Sequence, residues 1–401
     1  MREALIDRSE VYGERMTRFL RDLVRIPSPS GEEEKVVARI AEEMAALGFD
    51  EVRTDRIGNV IGRIGRGTKT ILFDSHADTV GIGDPDAWPH DPFQGKVAGG
   101  IVYGRGASDN KGGVAAMVYG GRLIRDLALD AGFTILVVGS VMEEDCDGLC
   151  YKSLIEEEKI RPDFVVLGEA TGLRVYRGHR GRVEMRVTTR GRSCHASAPE
   201  RGKNAVYSMA PIVRGIERLG RRLRTDPFLG KGSAAVTHIE CRTPSLNAVP
   251  DRASIVIDRR LTAGETKTSA LREARAVAGR EGKVEVLDYR RPSYTGHVLP
   301  MEKYFPSWVL PEDHVLVRAA ADAYRTLFRR KPAIGRWVFS TNGTYTMGIA
   351  GIPTIGLGPS EERFAHSILD RCPIKHLTAA AAFYAALPRA LRARLEGAVR
   401  E

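Results

Sequence analysis

Three apolar runs in this sequence each give way to side chains that bind metal ions or move protons. "TILF" leads to His76 and Asp78, "FTILVVGSV" to Glu143 and Glu144, and "DFVVLG" to Glu169. Another carboxylate, Asp109, stands in "YGRGASDNKGG", where glycines on both sides let the backbone turn tightly and approach its neighbours closely. A second histidine, His366 in "EERFAHS", follows the β-like run "IPTIGLG". Two histidines, several carboxylates and no cysteine make a donor set for a pair of borderline-hard divalent ions, zinc first, with cobalt or manganese accepted by the same donors. The adjacent pair Glu143 and Glu144 is informative in another way. Successive residues at a strand end point in different directions, so one can hold a metal while the other faces a water as general base. Asp78, two residues after His76 and on the same face, can accept the second imidazole N–H and fix the ring. A single histidine at a strand end, or a single acidic turn, would mean little; four strand ends and one glycine loop carrying potential ligands point to a metal site.

Such groups converge only if the strands lie side by side in one direction. The β-rich runs "NVIGRIG", "KTILFDSHAD", "FTILVVGSVMEED" and "PDFVVLGEAT" are interrupted by the helical pattern of "GGVAAMVYGGRLIRDLAL". This alternation predicts an α/β domain with a central mixed, mainly parallel sheet, in which function collects at the carboxyl ends of the strands. Between residues 178 and 294 the pattern changes to β, α, β, β, α, β, the order of a ferredoxin-like α+β domain. The expected organisation is a catalytic metal-binding domain formed by 1–177 and 295–401, with residues 178–294 inserted as a second domain.

Bulk properties narrow the classes. The 401 residues are 43% hydrophobic and 28% charged, enough for a sizeable core and for two domains. No apolar stretch reaches the ~18 residues of a membrane span, and the charged N-terminus reads as an amphipathic helix without a secretory apolar region. A cytoplasmic location and no membrane partner are expected. Five widely spread cysteines, Cys146, Cys150, Cys194, Cys241 and Cys372, lack paired spacing and read as reduced thiols. The net charge of +10 raises the question of nucleic acid, but the arginines run along the whole chain without an aromatic-interleaved basic tract, so no nucleic-acid partner is expected. The charge suits an anionic small molecule instead. His90, His179, His238, His297, His314 and His376 fall outside the ligand pattern and read as surface or packing residues.

"SHADTV", "YGRGASDNKGG", "MEEDCDG", "LGEAT" and "FAHS", in that order and at those intervals, resemble the dinuclear metallopeptidase and deacylase family M20, which includes acetylornithine deacetylase, succinyl-diaminopimelate desuccinylase and aminoacylase. The resemblance covers essentially the whole chain and implies a zinc-peptidase-like catalytic domain with an inserted lid and dimerisation domain. It implies that His76, Asp109 and Glu169 hold one metal and Asp109, Glu144 and His366 the other, with Glu143 as the base for a metal-bridging water. "TTRGRSCHASAPERGKNAV" is similar to the family's lid segment, which implies that His195 reaches the active site of a partner subunit and stabilises the oxyanion, so a homodimer is expected. Asn247, Arg260 and Arg180 match positions that grip a substrate carboxylate or the oxyanion neighbourhood.

The segment "FSTNGTYTMGIAGIPTIGLGPS" replaces the "GGTSDG"-like loop of the desuccinylases, and "STNG", "MEEDCDG" and "DRRLTAGET" together look closest to a subgroup named selenium-metabolism-linked hydrolases. The expected activity is hydrolysis of an amide in a small N-acylated or N-carbamoylated amino acid with a free carboxylate. A dipeptidase or aminopeptidase on the same scaffold is the alternative. A non-catalytic binding module is disfavoured because it would have no need of Glu143.

Overall fold

The structure, a computed structural model, describes residues 2–398. Its larger sheet has nine strands. The spatial order is Glu51–Thr54, Val60–Ile64, Phe133–Ser140, Lys69–His76, Phe164–Leu167, Thr354–Gly356, Val175–His179 and Trp308–Val309, with Ile334–Trp337 also pairing with Val175–His179. The four strands from Phe133–Ser140 to Thr354–Gly356 are mutually parallel and the outer strands mostly antiparallel, the mixed sheet that the alternating pattern predicts. His76 pairs with Ser140 and Asp74 with Leu167, so three strands finish along one edge.

Helix burial follows the apolar spacing. In Gly13–Val24 the buried residues are Met16, Phe19, Leu20, Leu23 and Val24, one stripe at helical period. Helix Lys111–Asp126 lies against strand Lys69–His76 and helix Ile374–Ala398, and its first turn sits tightly on the sheet. A Cβ at Gly113 would stand 2.3 Å from Ser75 Oγ and 2.5 Å from Asn110 Oδ1, which is why glycine occupies the turn just after Asp109.

The chain leaves the large sheet at His179 and enters a second, antiparallel sheet at Gly181. Its order is Ser233–Arg242, Arg252–Leu261, Gly181–Arg190, Gly282–Val286, the ferredoxin-like arrangement, with Tyr304–Phe305 pairing with the start of Gly181–Arg190. Val183, Met185, Val187, Ile255 and Ile257 alternate inward to meet Met209, Ile212, Ile216, Ala270 and Ala274 from two helices, Ala205–Arg222 and Lys267–Ala278. The second helix opens with a capping box between Thr266 and Ser269. Among the described residues no helix is long and apolar enough to cross a membrane.

Candidate metal centre

Asp109 is the hinge of the site. One of its carboxylate oxygens lies 3.0 Å from Nε2 of His76 and the other 3.3 Å from Nε2 of His366. Around this axis, Glu169 Oε1 is 3.6 Å and Glu143 Oε2 3.9 Å from His76 Nε2, while Glu144 Oε2 is 2.9 Å from His366 Nε2. Donor atoms converge in two overlapping groups, His76 with Glu143 and Glu169, and His76 with Asp109 and Glu144. The carboxylates and His76 are almost wholly buried, whereas His366 is exposed at the rim. The backbone of His366 is left-handed, with φ 55°, and so is that of Met142 just before Glu143, with φ 64°. Non-glycine residues hold such angles only where their surroundings fix them.

What fixes the turn at Met142 is a set of side-chain acceptors aimed at main-chain amides. The N–H groups of Val141 and Met142 donate to Asn59 Oδ1 and Glu33 Oε1, both at 3.0 Å. Those of Glu143 and Glu144 donate to the two oxygens of Asp78, at 3.2 and 3.0 Å, and Ser30 Oγ donates to the same carboxylate at 2.7 Å. Asp78 therefore differs from its expected role in one respect. His76 Nδ1 lies 2.9 Å from the main-chain carbonyl of Asp78 and 3.4 Å from its carboxylate, which is occupied in holding the loop of the two glutamates. Asp370 does the equivalent for Asp109: it accepts from the amides of Gly106 and Ser108, each at 2.7 Å, and from Arg105 at 3.0 Å.

Electrostatics test whether the donor set suits cations. Burial pushes the carboxyls of Glu143 and Glu169 well above their usual range and that of Glu144 upward, and the charges of neighbouring carboxylates add to each shift. Hydrogen bonds to Asp109 and Glu144 raise His366 to about 10. His76 is also raised; burial opposes this, but the charge of Glu143 and the contacts with Asp109 and Asp78 outweigh it. Glu144 Oε1 is buried with no hydrogen-bond partner among the described residues. Crowded carboxylates and two imidazoles, with an acceptor oxygen left over, fit divalent cations as their compensating charge.

Residues 72–390 match Peptidase family M20/M25/M40. The chain belongs to this family. It is accordingly a metallohydrolase. An uncharacterized protein of Escherichia coli K12, YgeY, is 49% identical over 387 residues, 96% of each chain. A succinyl-diaminopimelate desuccinylase of Methylorubrum extorquens is 30% identical over 380 residues, covering 88% of this chain and 87% of the relative. Among solved structures, an M20 family metallo-carboxypeptidase of Sulfolobus solfataricus, Sso-CP2, superposes with a TM-score of 0.75 at 15% identity, over 94% of this chain and 99% of that one.

The M20 site opens into a cavity of about 290 Å³. Arg260 and Arg182 line it together with Asp109, Glu143, Glu144, Glu169 and His366. Arg260 donates through Nε and Nη2 to Asp258, at 2.8 and 2.9 Å. Arg180 spends Nε and Nη1 on the carbonyls of Val338 and Lys231 and does not line the cavity. His195 and Asn247 are exposed neighbours on the small domain, joined by the Ala196 amide and the Asn247 carbonyl at 2.8 Å, and neither lines this cavity. Sequence reasoning missed Arg182, Asp147 and Glu362 on the cavity wall. Arg182 is one of several charged residues at the polar positions of an alternating strand, and nothing in that pattern marks it; Asp147, four residues after Glu143 in the same loop, carried the better signal.

Proposed function

We propose that this M20 metallohydrolase cleaves the amide bond of a small N-acylated or N-carbamoylated amino acid that keeps a free carboxylate. The observation that carries the reading is one cavity in which buried carboxylates and the rim residue His366 face two guanidinium groups, Arg260 and Arg182, the latter paired with Asp147 at 2.9 Å. Its volume suits a small molecule. His76, Asp109 and Glu169 would hold one divalent ion, and Asp109, Glu144 and His366 the other, with zinc, cobalt or manganese compatible with the donors. When bound, such ions supply Lewis acidity to the scissile carbonyl and acidify water.

The chain does the rest. Glu143 Oε takes the proton of the attacking water and delivers it to the leaving nitrogen. Asp78 holds the main chain of Glu143 and Glu144 so that neighbouring carboxylates keep separate tasks. Arg260, oriented by Asp258, receives the substrate carboxylate, and Arg180 stiffens the crossing between the two sheets. His195 and Asn247 would serve the cavity of a second subunit. The ten-residue strand Ser233–Arg242 is an exposed sheet edge, the kind of edge on which two copies can join.

Dipeptide cleavage is the second reading, favoured by Glu362, a carboxylate on the cavity wall that could pair with a free α-amine. The deciding experiment is amine release from N-acetyl, N-succinyl and N-carbamoyl amino acids and from dipeptides, with enzyme reloaded with zinc, cobalt or manganese. Cleavage confined to blocked amines supports the deacylase; cleavage requiring a free amine replaces it with the peptidase.

A further inference from the structure

The asparagine of the segment "FSTNGTYTMG" is hydrogen-bonded to no candidate metal donor and does not line the cavity. Asn342 is 2% exposed and its amide is saturated. Nδ2 donates to Asp74 Oδ2 at 2.9 Å and to Ser140 Oγ at 3.1 Å; Oδ1 accepts from the Gly148 amide at 2.8 Å and from Cys150 Sγ at 3.2 Å. An amide side chain has two donor hydrogens and two acceptor lone pairs, so no capacity remains.

The positions of these partners matter more than their number. Ser140 ends the strand before the loop of Glu143 and Glu144, and Gly148 ends that loop, with φ 78°. Asp74 lies two residues before His76 on the adjacent strand. One side chain thus ties both ends of the loop to each other and to the strand that presents His76. Its neighbours extend the bracket: the Thr341 amide donates to His179 Nδ1 at 2.9 Å, where the chain is about to cross into the small domain, and Ser340 lines the cavity.

The geometry points to Asn342 as a positioning residue that closes the neck of the catalytic loop and thereby sets where Glu143 and Glu144 stand relative to His76 and His366. This rests on the reading that the cluster holds divalent cations. Loss of the amide would leave Asp74, Ser140 and the Gly148 N–H unpaired in the interior and let the neck widen. Partners that orient metal ligands affect affinity on the order of 10- to 100-fold, and a neck four residues beyond Glu144 belongs at the lower end, about tenfold.

The test is cobalt titration of the full-length protein, followed by visible absorption, which reports ligand geometry without substrate. Asn342→Ala should bind Co²⁺ about tenfold more weakly than wild type, with an altered spectrum. An isotherm and spectrum superimposable on wild type, whatever the change in melting temperature, overturns the proposal, because a merely structural role moves stability alone. A wild-type protein that takes up no cobalt strikes at the metal reading instead, so the two failures are distinguishable. If the alanine variant does not fold, hydrogen exchange in wild type decides: the Gly148 amide should be as protected as that of Glu144, and exchange at the rate of an open loop rules the bracket out.

Discussion

Arg105 and Asp370, 265 residues apart, form an ion pair of 3.0 Å inside the protein, and neither side chain is more than 3% exposed. Asp370 also accepts the amides of Gly106 and Ser108, so it braces the loop that presents Asp109 from the segment that follows His366. Burial pushes its carboxyl up to about 7, with the two amides and the Arg105 charge pulling the other way.

At pH 8 and above, where the Asp370 carboxyl is ionised, Asp370→Asn keeps the shape and removes the charge, leaving a buried guanidinium without its counterion. Breaking one side of a buried pair costs about 3–5 kcal/mol. Urea denaturation of the variant should show a clear fall in midpoint, and metal affinity should fall with it as the Asp109 loop loosens. An unchanged midpoint would mean that Arg105 finds compensation elsewhere.

Glu143 and Asp109 should separate chemistry from metal binding. Glu143→Gln is expected to retain metal, measured by elemental analysis, while turnover on the cleaved amide falls by about 10²–10⁴. Asp109→Asn should lose metal, because its two oxygens face both histidines. Near-wild-type turnover in Glu143→Gln would remove it from the role of base.

The candidate donors stand together as an apolar run that stops at a histidine or glutamate suggests, and the parallel sheet follows from strand and helix alternation. The supports of the donors were not legible in the sequence. Glu33 meets the Met142 amide from 109 residues away, and Asn342 meets the Gly148 amide from 194. These are side-chain bonds to main-chain groups, which leave no periodicity and no preferred spacing. The short strands Trp308–Val309 and Ile334–Trp337 were hidden for a related reason: their place in the sheet comes from Val175–His179, and two to four residues carry too little pattern of their own.

His179 gives a stability prediction with a definite sign. It is fully buried, accepts the Thr341 amide at Nδ1 and donates from Nε2 to the Pro306 carbonyl at 3.1 Å, contacts that need the neutral ring. Burial depresses it from 6.5 to about 4. Between those values the unfolded chain takes up a proton that the folded one refuses, so this contribution is whole above pH 6.5 and is lost as pH falls toward 4. Its size is at most about 3 kcal/mol. Urea midpoints across pH 4.5–7 should fall more steeply toward acid in wild type than in His179→Gln. Parallel slopes would mean that another group carries the acid sensitivity.

The last prediction concerns His195, which is exposed and absent from the cavity of its own chain. If it serves a partner, His195→Ala and Glu143→Gln homodimers should each be nearly inactive. In their heterodimer, the subunit that keeps Glu143 meets the partner that keeps His195, and one of the two composite sites is whole. Random exchange makes half the dimers heterodimers, so about a quarter of wild-type activity should return on mixing. Light scattering should report a dimer in the same samples. Recovery of no activity from a confirmed dimer would confine His195 to a role on its own chain, and a monomer with full activity would remove the composite site altogether.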